Sequence, residues 1–259
     1  MGAGGWVADG WEVARGVLAP ADVTRLLSHL DLLLDRQPAL AATGLLAGTV
    51  VTDPVWLAAV ADPRLLDLVE SLLGPGVVLF SSCWVVKPPR TGRGAAWHQD
   101  GGSWPLDPLE AVTLWVALDD ADAGNGGLRV IPGSHEAGLL PHLRDDTRLA
   151  TELFPVALPA AAVDEGAAVD VVLRAGDVSA HHPLLIHGSP PNTSARPRRA
   201  LVARYHPLTT RVTQPGWPSS RVLRVPAAQG HAPELGLRPP TLGWAGRGQD
   251  IRRGGTVNG

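Results

Sequence analysis

Residues 97–100 read Trp97-His98-Gln99-Asp100, and the rest of the chain is organised around them. In an extended segment alternate side chains share a face, so His98 and Asp100 converge while Gln99 turns away. One short stretch can then offer an imidazole and a carboxylate to a single divalent cation, and His187, far downstream, can add a second imidazole. A histidine two places from an acid is by itself more often half of a surface salt bridge. The sequence on either side makes the metal reading the stronger one.

Outward from this stretch the texture is that of a β core. Short runs rich in β-branched and aromatic residues cover 77–86, 112–118, 128–131, 169–173, 177–182 and 199–206, divided by Gly, Pro, Asn and Asp. That spacing predicts a sandwich or barrel. Asn125-Gly126, between the second and third runs, predicts a hairpin, and Pro132-Gly133 stops the third. Upstream, after a flexible Gly-rich start, Val23, Leu26, Leu27, Leu30, Leu33 and Leu34 fall at helical spacing behind Pro20-Ala21-Asp22. Asp62-Pro63 caps a second helix striped by Leu65, Leu66, Val69, Leu72 and Leu73 and ended by Gly74. The segment 136–165 has weak periodicity and is expected to cover one mouth of the barrel. The predicted organisation is a single domain: a helical scaffold over about 20–74, a β core over about 76–206 and a C-terminal wrap over 207–259, ordered to about Trp244.

With 259 residues, 45% of them hydrophobic, the chain can bury a full core. A net charge of -3 with scattered arginines offers no basic field, which argues against nucleic acid. No run of about 18 apolar residues and no basic-then-apolar start is present, so neither a membrane nor export is expected. Cys83 is the single cysteine and excludes an intrachain disulfide, which fits a reducing, cytoplasmic setting. A small-molecule partner and a monomer or homodimer are expected. Lys87 is the only lysine, at a strand end before Pro88-Pro89 near the entry side, where solvent exposure is expected and attraction of an anionic substrate is the alternative.

Three groups of residues occur in order: Trp97-His98-Gln99-Asp100; Asn125-Gly126-Gly127-Leu128-Arg129-Val130-Ile131-Pro132-Gly133-Ser134-His135; and Asp177, His181, His182-Pro183-Leu184-Leu185-Ile186-His187-Gly188-Ser189, Asn192, Ser194 and Arg198. Together they resemble the phytanoyl-CoA dioxygenase family of iron(II)/2-oxoglutarate oxygenases, from roughly Asp9 to His206. The resemblance implies a mainly β fold with flanking helices (α+β), a double-stranded β-helix or cupin-like jelly roll of roughly eight strands. It implies that His98, Asp100 and His187 hold iron(II), that Arg198 pairs with the distal carboxylate of 2-oxoglutarate, that Ser189 hydrogen-bonds it, and that Thr113 or Trp115 shapes that pocket. Dioxygen is the second cosubstrate. The implied reaction is hydroxylation of an unactivated C–H bond of a small molecule in specialised metabolism, with release of succinate and CO2. Epimerisation, desaturation and cyclisation use the same site, and a non-redox cupin-like isomerase or a metal-retaining binding module is the competing class.

Elementary chemistry agrees with those roles. Two imidazoles and one carboxylate on six-coordinate iron(II) leave three positions, enough for a bidentate 2-oxo acid and dioxygen. A structural zinc site wants four ligands, usually with thiolates, and one cysteine cannot build it. Arginine's planar fork suits a carboxylate in a water-poor cavity, and since strand neighbours face opposite ways, Arg198 and Arg199 cannot both point inward. His181 and His182 read as hydrogen-bonding neighbours of the ligands, His135 as a turn-fixing residue, and His29 and His231 as exposed. Trp104, Trp97 and His142 are the candidate substrate contacts, chosen for their places beside the metal pair and in the covering segment.

Overall fold

The run Val77–Lys87 forms β3, buried along its whole length except at Ser81. The computed structural model of the chain describes residues 4–36, 38, 44–47, 53–215, 217 and 220–226. Strand β3 pairs with β13 (Arg198–His206), and β13 in turn with β6 (Val112–Ala117), β6 with β11 (Val178–His181), and β11 with β1 (Trp11–Ala14). On its other edge β3 carries β15 (Arg221–Arg224) and the short β2 (Leu45–Ala47), giving a seven-stranded antiparallel sheet. A second, four-stranded sheet runs β10 (Val169–Asp170), β7 (Arg129–Val130), β12 (His187–Ser189), β4 (Ala95–His98). Two antiparallel sheets with crossing connections are the jelly roll that the sequence leads one to expect.

The period-2 pattern of β3 explains the two halves of the core. Trp84 and Val86 point outward with Leu114, Val116, Leu201 and Tyr205, and the helices cover that face. They contribute Val23, Leu26 and Leu30 from helix Pro20–Arg36, Trp56 and Val60 from helix Pro54–Val60, and Leu65, Leu66 and Val69 from helix Pro63–Leu73. Each such side chain is worth about 1.5–3 kcal/mol of burial. Asp53 and Asp62 cap the two short helices by accepting from backbone N–H groups one turn in, each followed by a proline, and the Tyr205 hydroxyl donates to Val60 O at 2.8 Å. Cys83 and Val85 point inward with Trp115, Ala200 and Val202, and meet Leu128, Val130 and Leu185 beside the second sheet.

Several expectations are corrected. Asn125-Gly126 is not a hairpin turn, because β6 and β7 lie in different sheets. Asn125 is buried and spends its side chain on the loop: Oδ1 accepts from Asp122 N, and Nδ2 donates to Asp120 O and Pro197 O. That capping fixes a crossing between sheets instead of a two-residue reversal. Lys87, expected in solvent, is wholly buried. The runs at 128–131 and 169–173 shrink to two-residue strands, and 136–165 holds short 3-10 turns around the pair β8 (Leu143–Arg144) and β9 (Val156–Ala157). The N-terminal stretch supplies β1, paired with β11. His29 is half-buried, 2.7 Å from Asp53. His231 and Trp244 lie outside the described residues.

Candidate metal centre

Strands β4 and β12 are antiparallel neighbours with His98 opposite His187, so the ladder sets the two imidazoles side by side. Gln99 continues the extended backbone, and Asp100 opens a 3-10 turn, Asp100–Ser103, tied down by Gly101 N donating to Pro183 O at 2.8 Å. The Gln99 side chain turns away from the imidazoles, as the alternation requires. Its Nε2 donates to Gly138 O and Leu184 O, and its Oε1 accepts from Leu140 N. Asp100 Oδ1 then lies 3.8 Å from His98 Nε2 and 4.0 Å from His187 Nε2, and one ligand atom from each of the three falls within 4.8 Å of the others. These separations are too long for direct hydrogen bonds and suit atoms that share one cation.

Tautomers and charges favour that use. His98 Nδ1 lies 2.8 Å from Ala96 O and His187 Nδ1 lies 2.9 Å from Leu185 O. A carbonyl can only accept, so both Nδ1 atoms carry hydrogen and both Nε2 lone pairs face the centre. Burial, then the neighbouring His187, pushes His98 down to about 3, and burial, then His181, pushes His187 down to about 4, so both rings are neutral at pH 7. Burial opposes the charge of Asp100, but Arg204 and His181 outweigh it and hold the carboxyl well below its usual range. Thr113 Oγ1 donates to Asp100 Oδ2 at 2.8 Å, while His181 Nε2 and Arg204 Nε stand farther off, at 3.7 and 3.4 Å.

The cavity in front of these groups encloses about 470 Å³, part of it open, and Trp115, Ser189, Arg198 and Arg204 complete its polar and aromatic wall. Arg198 is the telling member. It is 1% exposed, lies over the Trp115 ring at 5.3 Å, and has no partner for Nε or Nη2. Burial lowers its pKa to about 9, with Asp119 opposing. Arg199 faces the other way and is satisfied there, bonding Asp119 through Nε and Nη2 and Asp31 through Nη1. A guanidinium aimed into a cavity without an acceptor is a seat for an anion. Two neutral imidazoles, a carboxylate and this unpaired cation fit iron(II) with a 2-oxo dicarboxylic acid.

Other predicted contacts fall elsewhere. Trp104 does not line the cavity wall directly; it packs on Phe80 and carries the Arg204 guanidinium 5.7 Å over its ring. Trp97 lies on the opposite side of β4, under Arg129 at 5.6 Å. His142 Nε2 accepts from Gln99 N at 2.9 Å, so it props the metal segment from behind. His182 Nδ1 accepts from Leu184 N. Arg204 was not singled out by the sequence, and Lys87 was expected in solvent. The signal for Arg204 is parity, since Arg198, Ala200, Val202 and Arg204 share one face of β13.

The family model for phytanoyl-CoA dioxygenase matches residues 6–200. The L-proline trans-4-hydroxylase of Streptomyces griseoviridis is 29% identical over 239 residues, covering 83% of this chain and 89% of the hydroxylase. Among solved structures, the apo non-heme monooxygenase ThoJ superposes with a TM-score of 0.75 at 30% identity, covering 86% of this chain and 84% of its own. The epimerase SnoN, in complex with Fe3+, alpha-ketoglutarate (2-oxoglutarate) and nogalamycin RO, superposes with a TM-score of 0.65 at 26% identity, covering 89% and 91%.

Proposed function

The chain belongs to the phytanoyl-CoA dioxygenase family of iron(II)- and 2-oxoglutarate-dependent oxygenases, and from that premise we propose that it hydroxylates an unactivated C–H bond of a small molecule in specialised metabolism. The observation that carries the proposal is a buried His-Asp-His cluster sharing one cavity with an arginine that has no internal acceptor for Nε and Nη2. A metal-retaining jelly roll without redox chemistry does not require that second element.

His98, Asp100 and His187 would hold the iron. An iron(II) held there would supply, with 2-oxoglutarate and dioxygen, oxidising chemistry in which decarboxylation would release CO2 and succinate, one oxygen atom going to succinate and the other to the substrate. Arg198 and Ser189 would bind the distal carboxylate of 2-oxoglutarate, and the Trp115 ring backs the guanidinium. Thr113 fixes Asp100 through Oδ2, which leaves Oδ1 for the metal. Phe154 and Leu153, from the segment between the second sheet's strands, close the cavity against water. The described chain acts as one catalytic unit, as a monomer or homodimer in the cytoplasm. Among the described residues no helix is long and apolar enough to cross a membrane.

The test is oxygen consumption by iron-loaded protein. Stimulation by 2-oxoglutarate, with succinate formed in step and lost in Asp100→Ala, is expected; no stimulation leaves the binding-module reading. Once a substrate is found, turnover under oxygen-18 gas should add one labelled oxygen to the product. An unchanged mass would indicate epimerisation, as the epimerase SnoN carries out, and loss of two hydrogens would indicate desaturation or cyclisation.

A further inference from the structure

Lys87 is the chain's only lysine and its side chain is wholly buried. It ends β3 directly across from Arg198 on β13. Its Nζ lies 2.6 Å from Ser189 Oγ, 2.5 Å from Pro190 O and 3.3 Å from Ser189 O. Two glycines make room for the stem: a Cβ on Gly92 would sit 2.6 Å from Lys87 Cβ, and one on Gly126, where φ is +76°, 3.1 Å from Lys87 Cδ. Burying an amine is costly, and a strand-end lysine could have turned to solvent at no cost. The cradle and the contact with Ser189 therefore ask for a functional account.

Hydrogen counting supplies it. The two carbonyl oxygens can only accept, so they take two N–H bonds from Nζ. A neutral amine has no third hydrogen; its lone pair accepts the Ser189 O–H, and the serine proton points away from the cavity. An ammonium spends its third N–H on Ser189 Oγ. The serine proton must then aim elsewhere, and the cavity that holds Arg198 is on its free side. We propose that Lys87 is a positioning residue for the cosubstrate: binding of a carboxylate at Arg198 draws one proton from solvent onto Nζ, reverses the Lys87–Ser189 hydrogen bond, and turns Ser189 into a donor to that carboxylate. This rests on the assignment of Ser189 and Arg198 to 2-oxoglutarate.

The electrostatics are consistent with such a reversal. Without a bound anion, burial and the charge of Arg198 push Lys87 down to about 5, with only Glu152 opposing, so the amine is neutral at pH 7. An arriving carboxylate cancels the repulsion from Arg198 and adds an attraction of its own. No atom is lost in the step: 2-oxoglutarate binds as the dianion, and the buffer supplies the proton.

A chain with one lysine gives one side-chain signal, so protein labelled with 15N,13C-lysine and loaded with zinc, a diamagnetic stand-in, reports Lys87 directly. At pH 7.5 the signal should lie at the neutral-amine position and move to the ammonium position on saturation with 2-oxoglutarate. Calorimetry in two buffers of different ionisation enthalpy should show about one proton taken up per 2-oxoglutarate. Lys87→Met should abolish that uptake and weaken 2-oxoglutarate about tenfold or more, with zinc affinity unchanged. In Ser189→Ala, adding Lys87→Met should cost little further. A lysine signal unmoved by bound 2-oxoglutarate, or unchanged proton uptake in Lys87→Met, overturns the proposal while leaving the cosubstrate site intact. Equal 2-oxoglutarate affinity in Arg198→Ala would instead remove the site assignment on which it stands.

Discussion

His98 and His187 face each other across the β4–β12 ladder with ring centroids 4.2 Å apart, and each is pinned through Nδ1 to the carbonyl two residues before it in its own chain segment. The same local bond fixes the tautomer twice, so two lone pairs are presented before any metal arrives. Such preorganisation spares the ordering cost that a flexible site meets at binding.

Anaerobic titration with iron(II) or manganese(II) should therefore find one site. Alanine at His98, Asp100 or His187 should each weaken it strongly, and a variant of unchanged affinity would remove that residue from the ligand set.

Thr113→Val should lower metal affinity about 10- to 100-fold, because Asp100 Oδ2 loses its 2.8 Å donor and the carboxylate is free to turn. Thr113→Ser should restore most of it. If valine binds metal as the unmodified protein does, Thr113 serves packing alone.

Arg198→Ala should raise the dissociation constant for 2-oxoglutarate about a hundredfold or more, the equivalent of roughly 3–5 kcal/mol for a charge-assisted pair lost from a dry cavity. Metal binding should persist. Arg199→Ala should leave 2-oxoglutarate affinity near its original value, since that side chain is spent on Asp119 and Asp31. The reverse order of effects would place the wrong arginine in the cavity.

The buried histidines set an acid limit. An unfolded imidazole takes up a proton below about 6.5, whereas folded His98 and His187 resist until about 3 and 4. Across that window the unfolded state binds more protons, so the metal-free protein should lose stability as pH falls from about 6.5 toward 4. Urea midpoints taken at half-unit steps should decline over this range; a flat profile would show that the rings are charged or exposed in the fold.

Gln99→Ala should loosen the covering segment. Proteolysis of the ligand-free variant should be faster within 136–165 than in the unmodified protein, and metal with 2-oxoglutarate should slow cleavage in both. Identical cleavage rates would show that the clasp bears no tension.

The helices and the long strands could be read because their signals are local: the Leu stripe of 63–73, its Asp62 cap and the β-branched and aromatic run of β3 need no partner to be recognised. The metal triad could be read because alternation and a family pattern agree on His98 and Asp100. What could not be read depends on distant chain. Asn125-Gly126 has the dipeptide of a hairpin, yet its fate was decided by Asp120 and Pro197, one of them 72 residues away. Lys87 looked like a strand-end charge, and only the approach of Gly92, Gly126 and Ser189 buries it. Trp97 and Trp104 flank the metal pair in sequence, but parity sends one to the far side of β4 and the turn sends the other beneath Arg204.

Gln99 grips Gly138, Leu140 and Leu184 only through main-chain atoms. The clasp is thus blind to side chains. The segment that covers the cavity can exchange most of its side chains, His142 apart, and still be drawn to the metal strand through Gly138 O and Leu140 N, so recognition of a new substrate can be explored by substitution in that segment without re-forming the centre that performs the oxidation. A library randomised at the side chains of 139–158, with Gly138, His142 and Gln99 retained, is the natural place to look for altered selectivity.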